Sequence, residues 1–166
     1  CEAIPLDVCS SSSVYDAFNL VKPDIVIHAG ATKFVNISES QPMECIDVNV
    51  LGSQNIARIS IEKSVNTVIG ISTDKAAPPV NHIYGNSKAL MEKMFNSLNA
   101  STDTNFSCVR FGNIAWSTGS VFPIWKQMME LNQKIESTGP NMKRFFFSVS
   151  DAADLVIRNL NNIELT

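Results

Sequence analysis

The chain has only four cysteines, Cys1, Cys9, Cys45 and Cys108, spread over 166 residues with no Cys-x-x-Cys spacing. That scarcity excludes a disulfide scaffold and argues against a cysteine-held zinc site, and it predicts reduced thiols in a cytoplasmic protein with no bound metal. Basic charge is also in short supply: a net charge of -3 and a pI near 5.3 leave no electrostatic footprint for a nucleic acid backbone or an anionic membrane. No apolar run approaches the ~20 residues of a spanning helix, and no charged-then-apolar leader opens the sequence. Repeats and low-complexity tracts are missing too. What remains, at 45% hydrophobic and 17% charged, is the composition of one ordinary globular domain working on small molecules.

Short apolar runs alternate with helical patterns. Val14, Ala17, Phe18 and Val21 follow a serine cluster at helical spacing and predict a helix over 12–22, stopped by Pro23. Asp24–His28 is a β-branched run closing on Ala29-Gly30-Ala31, as a buried strand closes on a tight loop. A long helix is predicted from Pro42 to Ser64, a second buried strand over Thr67–Ser72, and a loop over the proline-rich stretch Thr73–Asn81. Tyr84–Leu98 returns to helical period, Phe106–Phe111 reads as a third strand, and helices are predicted over Val121–Leu131 and Asp151–Leu160. Strand alternating with helix means an α/β fold with a parallel, doubly wound sheet, whose ligands bind beyond the carboxyl ends of the strands.

The polar residues gather at those ends. Thr73, Asp74 and Lys75 follow the Thr67–Ser72 strand, and Tyr84 and Lys88 share a helix face at i, i+4. An ammonium near a phenol lowers its pKa; bringing a tyrosine from about 10 to about 7 takes roughly 4 kcal/mol of preferential anion stabilisation. His28, at the end of a buried run, reads as a satisfied core histidine.

Tyr84-x-x-x-Lys88, the strand ending His28-Ala29-Gly30-Ala31, and Asp7-Val8 together resemble the extended short-chain dehydrogenase/reductases. Ser72-Thr73-Asp74-Lys75-Ala76, Arg110-Phe111-Gly112-Asn113, Gly119-Ser120-Val121-Phe122-Pro123 and Arg144-Phe145-Phe146 narrow the resemblance to the UDP-N-acetylglucosamine 4,6-dehydratases of polysaccharide and nonulosonic acid synthesis. The resemblance implies a Rossmann-like fold, an NAD or NADP cofactor and a nucleotide-sugar substrate. It implies that Tyr84 takes the proton of the carbon 4 hydroxyl while Lys88 lowers its pKa and holds the nicotinamide ribose. Lys75 would be the base at carbon 5, Asp74 the acid at the carbon 6 hydroxyl, and Ser72 or Thr73 would orient the carbon 4 oxygen. Cofactor contacts are expected from Asp7, Val8, Ala29, Gly30, Ala31, Asn49, Ser72, Tyr84 and Lys88, with Asn49 supporting the lysine through water. Substrate contacts are expected from Lys33, Asn113, Ser120 and Arg144.

Two departures from the family pattern stand out: Tyr84 follows Lys75 by one residue more than usual, across Pro78-Pro79, and Phe34 replaces a common histidine. The seven glycines never fall in Gly-x-Gly spacing, so the turn that grips a dinucleotide pyrophosphate is not in this sequence. With Asp7-Val8 matching the end of a third strand, here Ile4–Val8, we expect a fragment of a longer product that lacks two strands and two helices at its N-terminus. Residues 1–120 are then read as a partial NAD(P)-binding domain and 121–166 as part of a substrate-binding region, in a protein expected to form homo-oligomers. A nucleotide-sugar 4-epimerase would share Tyr84 and Lys88 without needing Asp74-Lys75, and a non-catalytic nucleotide-binding domain would need none of these residues.

Overall fold

A computed structural model describes residues 2–135, 139 and 141–164. Its centre is a parallel sheet of three strands, β1 (Ile25–His28), β2 (Thr67–Thr73) and β3 (Asn105–Phe111), in the order β1-β2-β3. The register sets His28 beside Gly70 and Ser72 beside Arg110, so all three strands point their carboxyl ends the same way. β2 is the middle strand and is buried along most of its length, which is why its sequence is apolar without alternation.

The helices flank this sheet. α1 (Ser11–Val21) is capped by the Ser10 hydroxyl, which accepts from the Ser13 amide. It ends at Lys22 in a left-handed conformation, and the Pro23 that follows cannot extend it. α2 (Val35–Ser40) is a short helix that the sequence pattern does not announce. The helix predicted from Pro42 to Ser64 is α3 (Pro42–Ile46) and α4 (Gly52–Glu62) joined by a π-helical turn, Asp47–Leu51. α5 (Ile83–Asn99) packs on β2 and β3, and Phe95 and Met91 enter the core with Val14, Ile56 and Val68. Gly70 lets the Phe95 ring lie on the sheet: a Cβ there would come within 2.9 Å of it. After β3, a two-residue strand β4 (Asn113–Ile114) pairs in parallel with β5 (Phe146–Phe147), followed by α7 (Val149–Glu164); α6 (Val121–Glu130) lies between them in sequence.

One expected element is corrected. Ile4–Val8 is not a strand: residues 2–7 carry no sheet pairing, and Asp7–Ser10 closes a turn in which Ser10 N donates to Asp7 O at 3.2 Å. A strand exists only against a neighbour, and among the described residues no strand pairs with this segment. The loop predicted over Thr73–Asn81 also contains a 3-10 turn, Asp74–Ala76, capped by Thr73.

Candidate functional site

The carboxyl ends of the strands open on a cleft of about 1140 Å³. Its floor is the end of β2. There Ser72 and Thr73 are buried, and Thr73 Oγ1 accepts from Lys75 N at 3.3 Å, folding the chain into the 3-10 turn that turns Lys75 toward the cleft. Lys75 Nζ lies 3.1 Å from Asp74 Oδ1 and 3.3 Å from Asn113 Oδ1, so β4 helps to aim it. Both members of this ion pair are about a third exposed.

α5 brings the other two groups. His82 caps it by accepting from the Gly85 amide, and Glu39 of α2 accepts from the Ile83 amide, so the first turn is held at both ends of its orphan donors. Gly85 faces the 3-10 turn, where an added Cβ would run into the Lys75 carbonyl, and this close approach sets Tyr84 beside Thr73 and Lys75. The helix face that carries Tyr84 carries Lys88 one turn on, 2% exposed, with Nζ donating to the Ile71 carbonyl at 2.8 Å. Burial pushes the Lys88 ammonium down to about 8.

Lys88 together with a cationic cofactor is expected to lower the Tyr84 pKa; the chain's own groups raise it, burial most, with the Thr73 hydroxyl pulling it down and the Asp74 carboxylate adding to the rise. The Lys88 ammonium is directed at a β2 carbonyl. Asn49 is expected to support the lysine through water, and its side chain holds protein groups. Its Oδ1 accepts from Thr32 N at 2.9 Å, and its Nδ2 donates to Thr32 O at 3.1 Å and to Ser87 Oγ at 3.0 Å. Sitting in the π-helical turn, Asn49 ties the loop after β1 to α5.

The remaining predicted residues divide between two spaces. Ala29, Ala31, Lys33, Asn113, Ser120 and Arg144 line the main cleft, together with Ser72, Thr73, Lys75, Tyr84 and Lys88. Lys33 reaches across it, Nζ donating to Thr118 O at 2.8 Å, and the Phe34 ring lies over Gly119, whose positive φ leaves no room for a side chain. The exposed Arg144 donates to the Lys143 carbonyl. Asp7, Val8, Gly30 and Ala31 line a second recess of about 520 Å³, and Ala31 belongs to both. The floor between them is built of small residues: a Cβ on Gly30 would come 3.4 Å from Val8 and 3.6 Å from His28. Among the described residues there is no cluster of His, Cys, Asp and Glu suited to a metal ion, and no helix is long and apolar enough to cross a membrane.

Sequence reading missed one buried polar group. Glu92, 8% exposed, accepts from Ser72 Oγ at 2.5 Å and takes a two-pronged grip from Arg110, Nε at 2.7 Å and the second nitrogen at 2.6 Å. A carboxylate four residues past Lys88 on the same helix face was the available signal.

The three-stranded parallel sheet and its flanking helices are a Rossmann-type α/β fold, and comparison with known proteins identifies the lineage. Residues 2–165 match the family described as "Polysaccharide biosynthesis protein", and the chain belongs to that family. It is 39% identical over 144 residues to a UDP-N-acetylglucosamine 4,6-dehydratase (inverting) from Campylobacter jejuni, covering 84% of this chain and 43% of the relative. It is 41% identical over 154 residues to a UDP-glucose 4-epimerase from Rickettsia bellii, covering 91% of this chain and 44% of the relative. Of solved structures, that of Pen from Bacillus thuringiensis superposes with a TM-score of 0.86 at 32% identity, covering 93% of this chain and 48% of that one. The chain thus spans less than half the length of each of these relatives.

Proposed function

We propose that this chain is the catalytic part of a nucleotide-sugar 4,6-dehydratase acting on UDP-N-acetylglucosamine or a close relative. The observation that carries the reading is the Asp74–Lys75 pair, joined at 3.1 Å, with Lys75 lining the same cleft as Tyr84 and Asp74 close enough to act on the Tyr84 phenol, because an epimerase has no use for an acid and a base beyond carbon 4. Relatives named as dehydratase and as epimerase stand at similar identity, so the residues must decide.

NAD or NADP fits the path from the second recess to Tyr84 and Lys88. Asp7, Val8, Gly30 and Ala31 would hold its far end and Lys88 its ribose, with Ala29 and Ala31 leaving room between. When bound, the nicotinamide supplies the hydride chemistry, oxidising carbon 4 and reducing carbon 6. The protein's own groups handle protons. Tyr84, ionised with the help of the Lys88 ammonium and the positive charge that a bound oxidised nicotinamide would add, takes the proton of the carbon 4 hydroxyl, and Thr73 hydrogen-bonds that oxygen. The ketone so formed acidifies the carbon 5 proton. For Lys75 to take the carbon 5 proton, the proton it donates in its hydrogen bond to Asp74 must first pass to that carboxylate. Asp74 is then the acid that protonates the departing carbon 6 hydroxyl, which leaves as water. Lys33, Asn113 and Ser120 from residues 1–120 and Arg144 from residues 121–166 would hold the nucleotide sugar, with residues 1–120 carrying the cofactor and the chemistry.

The test is mass spectrometry of the product formed by the full-length protein from UDP-N-acetylglucosamine, which should be lighter by one water with no net use of nicotinamide. A product of unchanged mass would mean epimerisation. In a single turnover, Lys75→Ala should still build up reduced nicotinamide absorbance without eliminating water, while Tyr84→Phe should build up none.

A further inference from the structure

Lys88 is a buried cation whose neighbours are mostly unable to balance it. The groups near enough to act on its charge include His28 of β1, which is itself held neutral, Cys108 of β3, whose thiol is pushed up to about 12 and stays uncharged, and Cys45 of α3, engaged with Asn49 and Ser87. Ile71 offers only a carbonyl. The anion is Glu92, one turn along α5 and held below its ordinary carboxylate range by Arg110 and Ser72 despite its burial. Its Oε1 accepts from Ser72 on β2 and from Arg110 Nε on β3, and its Oε2 from Arg110 again, so one carboxylate bridges two strands at residues that are register partners.

We propose that Glu92 is a positioning residue of this site: gripped by Arg110 and Ser72, it clamps α5 to the ends of β2 and β3 and supplies the carboxylate that balances the buried Lys88 ammonium. The clamp acts on both halves of the chemistry. Ser72 precedes Thr73, so holding its hydroxyl steadies the strand end from which the Asp74–Lys75 turn departs. On the helix side, the same carboxylate fixes the rotation that presents Tyr84 and Lys88. Removing it leaves Lys88 desolvated without a counter-charge, and burial alone then favours the neutral amine.

The proposal rests on Lys88 being the cation that supports Tyr84, but its test does not need turnover. In the full-length protein, the Lys88 side chain is titrated by heteronuclear NMR of its terminal carbon, assigned by comparison with Lys88→Arg. Glu92→Gln should lower the midpoint by about one pH unit or more, a tenfold loss of proton affinity, and Glu92→Asp should restore part of it. In activity assays, the alkaline limb of kcat should move down by the same amount with KM for the nucleotide sugar little changed. Should Glu92→Gln alone not fold, Glu92→Gln with Ser72→Ala removes the carboxylate together with the buried hydroxyl that donates to it, and should lower the midpoint as well. An unmoved Lys88 midpoint in either folded variant overturns the proposal. A moved midpoint in a protein that eliminates no water sustains it while removing the dehydratase reading.

Discussion

His28 shows what a single residue reveals only once its neighbours are known. It ends β1, 3% exposed, with Nε2 2.8 Å from Ser53 Oγ; because that hydroxyl donates to the Asn49 carbonyl at 2.7 Å, Nε2 is the donor to Ser53, a tautomer assigned from the network. Burial, and then the Lys88 charge, push its pKa down to about 4. An unfolded chain takes up the proton near pH 6.5 and the folded one only near 4, so between those values the unfolded state binds more protons. Stability therefore falls as pH drops through that window, by about 3 kcal/mol in all, and is fully recovered above it. Urea unfolding across the window should show this slope in the wild type, and His28→Gln should lose it. The sequence reading of His28 as a core residue agrees with its burial. Its partner was beyond reach, because Ser53 lies on α4 and only the packing of α4 against β1 joins them. The side-chain partners of Asn49, Thr32 and Ser87, were hidden for the same reason, since tertiary structure chose them.

Elements were legible where local physics decides them. The helical spacing of Val14, Phe18, Met91 and Phe95 and the β-branched runs around Ile25 and Val68 correspond to α1, α5, β1 and β2 within a few residues. The π-helical turn at Asp47–Leu51 was not legible, since its extra residue per turn carries no composition signal, and α2 is too short to show a period. The packing of α5 on the Lys75 turn is a second tertiary fact, and it rests on one glycine. Gly85→Ala should gain about 1 kcal/mol in helix propensity yet be destabilising overall, because the new methyl meets the Lys75 carbonyl and the helix must retreat. We expect a net loss of about 1–3 kcal/mol, readable as a lower urea midpoint, with a fall in kcat larger than that of Ala89→Gly, which weakens the same helix without touching the turn.

For the whole molecule, the sheet is the telling feature. β1 pairs with β2 on one side only, and among the described residues its other edge has no partner, with Ile25 and Ile27 exposed. Parallel order and the site at the strand ends followed from the alternation of strand and helix, whereas the fate of Ile4–Val8 depended on whether a neighbour stood beside it. Residues 1–166 produced alone should therefore form no dehydrated product. By isothermal titration they should bind NAD and NADP more weakly than micromolar, since no Gly-x-Gly turn is present to grip a pyrophosphate. Tight binding by a folded monomer of this length would refute that. The groups assigned to proton handling, by contrast, all lie within Thr73–Lys88, folded onto itself by the contact of Gly85 with the Lys75 turn. On the proposed assignment, evolution can treat that stretch as a heritable cassette: drift within it would change which reaction runs, while drift in the loops around Lys33, Ser120 and Arg144 would change which sugar is taken, and neither need wait for the other.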